Sequence, residues 1–211
     1  MFKIRLFNFH NVFEAIIGFI ENRRNDARLN FFINILIILL SAHLFFNKKA
    51  YQKVAFYRGL EVYNEGNYPE AVALFQKSLK EPLDPIFTAR ATFWKAESDY
   101  QASNFEASLV GYKQFLQLPN ASQTPEYKNS SYNLGYNYFK LKNYPEAITQ
   151  YEKFLESSSN DAARRNDAYL RLGDSHFVSS SYWPAMENYN KAIEGGTPDK
   201  DYAAFQKAIS Y

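Results

Sequence analysis

Few side chains in this sequence have the chemistry of a catalyst or a metal ligand. Of 211 residues none is cysteine and only three are histidine, namely His10, His43 and His176. Without cysteine, neither a disulfide framework nor a thiolate metal site can form. The sequence also contains no glycine-rich phosphate loop, no HExxH metal motif and no nucleophile elbow. We therefore expect no catalytic residue, no metal site and no cofactor, and hence a protein that is not an enzyme.

Aromatic side chains are present in excess. Rings make up 18% of the chain, with 17 Tyr and 19 Phe, and hydrophobic residues make up 46%. A chain with this much apolar area can bury a core and is not disordered. Rings also provide large contact area at low entropic cost, which suits protein-binding surfaces. The composition therefore favours a well-packed protein that acts by binding.

The spacing of small residues and rings indicates an internal repeat. Small residues recur at intervals of 37, 39 and 38 positions, and four further columns follow each of them after 9, 12, 16 and 20 residues. The first column holds Gly59, Ala96, Gly135 and Gly173. The later columns hold the rings Tyr68, Phe105, Tyr144 and Tyr182; the small residues Ala71, Ser108, Ala147 and Ala185; the rings Phe75, Tyr112, Tyr151 and Tyr189; and the aliphatic residues Leu79, Leu116, Leu155 and Ile193. Such self-similarity is typical of a repeat architecture.

Each copy of the repeat is expected to be a pair of antiparallel helices. In the second helix the ring, small residue, ring and aliphatic residue lie 3, 4 and 4 positions apart, which places them on one face. The small residues of the two helices allow their backbones to approach closely. No strand is predicted. The predicted helices cover residues 51–65, 68–80, 85–102, 105–117, 125–141, 144–157, 161–179, 182–194 and 198–211.

Capping signals mark where several of these helices begin. In the NYPEA segments at 67–71 and 143–147, the Asn can cap a helix and a Glu follows at the capping-box spacing. The pairs Asp84-Pro85, Thr124-Pro125 and Thr197-Pro198 each predict an N-cap followed by proline in the first turn. These signals agree with the helix starts predicted from the repeat.

Residues 132–155 and 169–193 resemble tetratricopeptide repeats. Both carry the family's pattern of an aromatic residue, Leu-Gly, a second aromatic residue, then Ala, Tyr and Ala or Phe. The resemblance implies an all-α superhelix, or solenoid, of about four helical hairpins plus a terminal half-repeat. Because these repeats are longer than the family's usual 34 residues, we expect the surplus, in connections 118–126 and 157–165, to be exposed.

The resemblance also implies a binding groove, because in such folds the first helices of successive hairpins line a concave surface. Two ring-rich columns of these helices lie seven residues, or two helical turns, apart and share a face. Intervening positions that vary in charge would tune specificity. The partner-binding site implied in this way comprises Phe56, Leu60, Tyr63, Phe93, Tyr100, Tyr132, Tyr136, Phe139, Lys140, Asp174 and Phe177. The same rings could instead serve only packing between hairpins.

The apolar segment 31–46 is the sharpest feature outside the repeats, and basic residues flank it on both sides. A helix of sixteen residues spans about 24 Å, which is less than the roughly 30 Å hydrocarbon core of a bilayer. A single membrane crossing of unknown orientation and a buried helix packed on the first repeat are therefore both open. We expect an N-terminal basic and apolar domain at 1–50 that contains this helix, and a repeat domain at 51–211. Residues 1–20 suit an amphipathic helix.

The distribution of charge argues against nucleic acid as a partner. Residues 1–53 carry a net +5, whereas the remainder carries −3, and a phosphate-binding groove would have to be basic. We expect a scaffold or adaptor that binds a protein or peptide, takes no small-molecule substrate, and is held at a membrane or is soluble in the cytoplasm or periplasm. The alternative is a stacking module, or a truncated fragment of a larger repeat protein in a cell-envelope assembly, without a ligand of its own.

Overall fold

The computed structural model describes residues 27–157 and 161–211, with the backbone alone at 27–30 and 32. Two compact units divide the chain, Met1–Lys48 and Lys49–Tyr211. The amphipathic helix predicted for residues 1–20 lies outside the described residues. The predicted domain limits at 1–50 and 51–211 stay a prediction.

The all-α prediction is confirmed for the described part of the chain, which contains nine α-helices and no strand. The first, α1, covers Ala27–Asn64 and so contributes residues to both units. In the second unit, helices pair into four hairpins in chain order and a single helix follows them. The helices after α1 are α2 (Tyr68–Leu79), α3 (Pro85–Gln101), α4 (Phe105–Gln117), α5 (Ser130–Lys140), α6 (Tyr144–Glu156), α7 (Ala162–Val178), α8 (Tyr182–Glu194) and α9 (Lys200–Ile209).

Small residues in the first helix of each hairpin accept the ring that lies sixteen positions later. A Cβ atom placed on Gly135 would meet the ring of Tyr151 at 2.7 Å, and one on Gly173 would meet Tyr189 at 2.7 Å. The second hairpin reverses this arrangement, because it has Ala96 in the first helix and Gly111 opposite it in α4. The repeat column of small residues is therefore a column of close helix contacts.

The turn inside each hairpin has one geometry, repeated four times. Seven residues after each small residue the backbone is left-handed, with φ of 81° at Gly66, 64° at Ser103 and 57° at both Lys142 and Ser180. The next residue donates its amide back to the carbonyl five positions earlier, for example from Asn67 to Val62, which is a Schellman motif. An edge-to-face pair of rings then closes each turn. These pairs are Tyr63–Tyr68, Tyr100–Phe105, Phe139–Tyr144 and Phe177–Tyr182.

Two of the predicted helix caps are confirmed. The side chain of Asp84 accepts hydrogen bonds from the amides of Ile86 and Phe87 at 3.2 and 3.4 Å. Asn67 accepts from the amide of Glu70 at 3.4 Å and donates to its side chain at 2.7 Å. Each cap satisfies backbone amides that have no partner within the helix.

Asn143 is the N-cap residue of α6, as predicted, but its side chain makes no capping hydrogen bond. The caps predicted at Thr124 and Thr197 are wrong. The hydroxyl of Thr124 donates backwards to the carbonyl of Ala121, and the third hairpin begins only at Ser130, after two 3-10 turns at Ala121–Gln123 and Tyr127–Asn129. Thr197 accepts from the amide of Asp199, which is itself the N-cap of α9.

The connection at residues 118–126 is not the exposed loop expected from the surplus length. Ala121, Thr124 and Glu126 are buried, because the first 3-10 turn packs against α3 and α4 and the second 3-10 turn packs against the first. In the other connection, residues 158–160 lie outside the described residues. The extra residues of the second repeat therefore contribute buried side chains to the solenoid.

The described part of the first unit is the N-terminal portion of α1, which is largely apolar. Residues 35–40 are six consecutive apolar residues, and every one of them is exposed. Within residues 33–64 the helix is long and apolar enough to cross a membrane, with a mean hydropathy of 1.3 in its best window and none of that window buried. Two polar side chains of this stretch are hydrogen-bonded to each other, with 3.0 Å between Asn47 Nδ2 and His43 Nε2.

Candidate functional site

Two adjoining depressions lie on the face formed by the first helices of the hairpins. One, of about 300 Å³, is bounded by α3, α4, α5 and α7, and the other, of about 450 Å³, by α1, α3, the 3-10 turns, α5 and α7. Glu97, Asn133 and Arg164 line both, so the depressions form one continuous surface. We call it the tyrosine groove. The tyrosines that line it are Tyr63, Tyr100, Tyr112, Tyr132 and Tyr136.

Glu97 is the central polar residue of the tyrosine groove. Its Oε1 atom accepts from the hydroxyl of Tyr63 at 3.3 Å and from Gln101 at 3.1 Å. Its Oε2 atom accepts from the hydroxyl of Tyr112 at 2.5 Å and from Asn133 at 2.7 Å. Because these donors come from the first three hairpins, one carboxylate fixes the relative positions of side chains along the groove.

A second set of carboxylates continues this pattern towards the C-terminal end. Asp167 accepts from the hydroxyls of Tyr132 and Tyr136 at 2.8 and 2.5 Å. Arg171 donates to the hydroxyl of Tyr136 at 3.0 Å and pairs with Asp174 at 2.9 Å. The carboxylate of Asp174 in turn accepts from Tyr189 and Tyr202. A hydrogen bond from tyrosine to carboxylate therefore crosses three of the four boundaries between successive repeats, and at the boundary between the second and third hairpins the donor to Glu97 is Asn133.

The groove tyrosines are neutral donors at physiological pH. Burial, together with the charge of Glu97, raises the pKa of Tyr100 to about 12. Burial and the hydrogen bond to Asp167 raise the pKa of Tyr136 to about 12. The pKa values of Tyr63 and Tyr132 are raised further, again mainly by burial. The wall of the groove thus presents fixed hydroxyl groups rather than phenolates.

One tyrosine behind the groove has no partner for its hydroxyl group. The ring of Tyr151 is completely buried, and its hydroxyl makes no hydrogen bond with any described residue. In the matching hairpins, Tyr112 and Tyr189 donate to an acid fifteen residues earlier, but here that position holds Tyr136. The first hairpin avoids the problem, since it pairs a phenylalanine with a leucine at these two positions.

The larger depression is lined by Glu126, an acidic residue of the connection between the second and third hairpins. Glu126 Oε1 accepts from Arg90 Nε and from Trp94 Nε1, each at 2.9 Å. The other oxygen, Oε2, is buried and accepts no hydrogen bond from the described residues, and the same is true of Asn129 Oδ1. Arg90 also lies over the ring of Phe56, 4.9 Å from its centroid. The two residues that carry these unpartnered atoms, Glu126 and Asn129, both line the larger depression.

The structure brings five of the eleven predicted site residues together in the tyrosine groove. They are Tyr63, Phe93, Tyr100, Tyr132 and Tyr136.

The other six predicted residues lie elsewhere. Phe56 is fully buried against Phe75 and Phe87, so the structure corrects its place from the groove surface to the core beneath it. The remaining five are packed or separate from the depressions. Leu60, Phe139 and Phe177 pack against the hydrophobic core. Asp174 is buried, and its carboxylate accepts a hydrogen bond from Tyr189. Lys140 is exposed.

Sequence reasoning missed several residues of the groove. Arg90, Trp94 and Asn133 lie on first helices between the ring columns, so a search for aromatic columns passed over them. Glu126 was assigned to a helical first turn, and its entry into the groove depends on the 3-10 turns. Arg164 lies in the first turn of α7, within the stretch 157–165 whose surplus length was expected to form an exposed connection. The charged groove residues on the first helices are Arg90, Glu97 and Arg164.

Comparison with protein families finds one repeat of a known type. A model of the tetratricopeptide repeat matches residues 129–161, which correspond to the third hairpin and the beginning of the next connection. A comparison with curated proteins gives no match.

Comparison with solved structures extends the likeness to most of the chain. The crystal structure of MamA is 19% identical, with a TM-score of 0.63 over 76% of this chain and 80% of that chain. BtubC (BKLC) from P. vanneervenii is 15% identical, with a TM-score of 0.61 over 82% and 76%. MamA from residue 41 to its end, from Desulfovibrio magneticus RS-1, is 16% identical, with a TM-score of 0.59 over 75% and 92%. At these identities the likeness establishes the fold alone.

Proposed function

We propose that this chain, in which residues 129–161 match a tetratricopeptide repeat, is a scaffold that holds a protein or peptide segment of a partner in its tyrosine groove. The proposal includes no catalytic step, no cofactor, no nucleic acid and no small-molecule substrate. One observation carries it: the groove is continuous and its side chains are fixed by hydrogen bonds to buried or partly buried carboxylates. Side chains that are ordered in advance lose little entropy when a partner binds.

The composition of the groove supports a polypeptide partner. Tyrosine rings provide apolar contact area, and their hydroxyls together with Asn133 and Gln101 provide polar groups for an extended backbone. The two depressions have volumes of about 300 and 450 Å³, which is room for side chains of a bound segment. Tyr100, Tyr132 and Tyr136 remain our proposed contact residues on this surface.

Site-specific crosslinking tests the groove assignment. A photo-reactive amino acid at Gln101, which is exposed and lines the smaller depression, should crosslink to a partner of one defined mass in cells. The same amino acid at Lys77, exposed on the second helix of the first hairpin, serves as the matched control and should give no such product. Equal products from both positions, or a product from Lys77 alone, would contradict the groove assignment.

We further propose that residues 31–46 hold the protein at a membrane as a single crossing. Residues 35–40 expose apolar side chains on every face of the helix, whereas a helix in a soluble core buries at least one face. The hydrogen bond between His43 and Asn47 lowers the cost of placing these two polar groups in hydrocarbon. Basic residues on both sides, such as Arg28 and Lys48, suit the headgroup regions.

Charge placed in this helix tests the membrane proposal. Ile37→Lys with Leu40→Lys should release the protein from the membrane fraction, because each lysine near the helix centre costs about 2.5–3.5 kcal/mol of insertion free energy. The matched control, Val110→Lys with Val178→Lys, adds the same charge at exposed positions of the repeats and should still sediment with membranes after alkaline extraction. Release of both proteins, or of neither, would count against a crossing at 31–46.

A second candidate function is stacking against another repeat domain. It is favoured by the open face of α9, where Phe205 and Ile209 are exposed at 63% and 49%. If this face mediates assembly, Phe205→Asp should convert an oligomer into a monomer in analytical ultracentrifugation. A wild-type protein that is monomeric at all concentrations would exclude self-stacking through α9.

A further inference from the structure

We propose that the larger depression of the tyrosine groove takes a basic side chain, lysine or arginine, of the bound peptide, with Glu126 and Asn129 as its hydrogen-bond acceptors. The inference rests on the proposed function, because it names the partner residue by which the groove would recognise a peptide. It depends on the connection between the second and third hairpins, whose 3-10 turns carry both acceptors.

Two oxygen atoms in the wall of the depression lack donors. Glu126 Oε2 and Asn129 Oδ1 are buried and accept no hydrogen bond from the described residues. Glu126 is only 8% exposed, and its other oxygen is already held by Arg90 and Trp94. A buried acceptor without a donor costs about 1–3 kcal/mol, and more when it is charged. The site therefore favours a ligand group that donates hydrogen bonds.

The charges around the depression favour a cationic donor over a neutral one. Glu97 forms no ion pair with any described residue, since all four of its hydrogen bonds come from neutral groups. Glu126 has one cationic partner, Arg90. The other cation in the wall, Arg164, is paired with Asp161. Glu97 and Glu126 thus line the depression with one paired cation, Arg90, while the charge of Arg164 is matched by Asp161, and an ammonium or guanidinium group would complete the balance.

The apolar part of the wall suits the stem of such a side chain. Tyr63, Phe93 and Trp94 line the same depression, and the rings of Tyr63 and Trp94 are in edge-to-face contact at 5.1 Å. The methylene groups of lysine or arginine bury well against apolar surface while the charged end stays with polar partners. Ring faces near a cation add a further attraction. The depression therefore matches both ends of a basic side chain.

The two tryptophans of the chain provide a reporter and an internal control. Trp94 Nε1 donates to Glu126 Oε1 at 2.9 Å, whereas Trp183 is 68% exposed on α8 and lines neither depression. In ¹⁵N-labelled full-length protein in detergent micelles, N-acetyl-lysine methylamide should shift the indole signal of Trp94 and leave that of Trp183 in place. At equal concentration the norleucine and glutamate derivatives should bind at least about tenfold more weakly, a difference of about 1.4 kcal/mol.

Glu126→Gln tests the acceptor directly. The substitution keeps the shape and the oxygen that receives Arg90 and Trp94, but it places an amide that donates where Oε2 stood. Affinity for the lysine derivative should fall at least about tenfold. The matched control is Glu106→Gln, which makes the same change at an exposed residue on the second helix of its hairpin and should leave the titration unchanged.

Three results would overturn the proposal. A norleucine response equal to the lysine response would show an apolar pocket, and an unchanged titration in Glu126→Gln would show that the cation binds elsewhere. A Trp94 signal that moves with no derivative would show that water alone fills the acceptors. These outcomes are separate from the proposed function, because crosslinking at Gln101 reports whether any polypeptide occupies the groove.

Discussion

Replacing Tyr151 with phenylalanine should stabilise the protein, although it removes a polar group from the core. The hydroxyl of Tyr151 is buried without a hydrogen-bond partner among the described residues, and such a group costs about 1–3 kcal/mol. The ring itself fills the space against Gly135 and remains in Tyr151→Phe. We therefore expect the free energy of unfolding to rise by about 1 kcal/mol, the lower end of that range.

The same substitution at Tyr189 provides a matched control of opposite sign. Tyr189 occupies the equivalent position of the next hairpin, but its hydroxyl donates to Asp174 at 3.0 Å. A hydrogen bond to a charged group contributes about 1.5–3 kcal/mol. Because Asp174 keeps its bonds to Tyr202 and Arg171, Tyr189→Phe should lower the free energy of unfolding by the smaller of these values.

Urea unfolding of the full-length variants in the same detergent, followed by circular dichroism and by tryptophan fluorescence, measures both effects. Coincident transitions from the two probes and equal m-values are needed before the midpoints are compared. The two variants should differ by about 2.5 kcal/mol, the sum of the two effects. If Tyr151→Phe destabilises the protein as much as Tyr189→Phe does, the hydroxyl of Tyr151 has a partner and the reasoning is refuted.

Three further predictions follow from the turns, the close helix contacts and the tyrosines. Gly173→Ala should lower the melting temperature, with a cost of about 1–3 kcal/mol, because its Cβ would lie 2.7 Å from the ring of Tyr189; an unchanged temperature would contradict the contact. Gly66→Ala should cost about 1 kcal/mol in urea unfolding, because φ is 81° there, and Ser180→Gly should cost nothing. Burial raises the pKa of Tyr136 to about 12, above its unfolded value of about 10, so its contribution to stability is complete below pH 10 and is lost as the pH rises towards 12. Melting temperatures at alkaline pH should fall less steeply in Tyr136→Phe.

The fold could be predicted from the sequence because its rules are local and repeated. Ring, small residue and ring at helical spacing occur four times, so the helix pairs and their close contacts followed directly. The left-handed residue in each turn could not be predicted, because only Gly66 is of a type that readily adopts positive φ, whereas Ser103, Lys142 and Ser180 are not. Three residue types, Gly, Ser and Lys, thus adopt one backbone conformation.

The candidate site could be predicted only in part, because it depends on how helices are rotated and on irregular backbone. Periodicity placed Phe56 and Tyr63 on one face of the helix. In the structure Tyr63 lines the groove, whereas Phe56 is buried against Phe75 and Phe87. Glu126 enters the groove through 3-10 turns, which leave no periodic signal. The aligned columns show that Tyr136 stands where two other hairpins have an acid. Only the structure shows that this position is the one that faces the hydroxyl of the ring fifteen residues later, and hence that the hydroxyl of Tyr151 lacks a partner.

The position of Glu97 has a mechanical consequence. Its carboxylate is bonded to Tyr63, Tyr112 and Asn133, which belong to three successive hairpins, and it also lines the surface where a partner would lie. A pulling force along the solenoid would load these bonds in series, so the hairpins joined at Glu97 would resist extension together rather than open one at a time. A partner that forms a hydrogen bond with the same carboxylate would change the force at which the hairpins separate. Glu97 would then couple partner binding to the mechanical resistance of the solenoid.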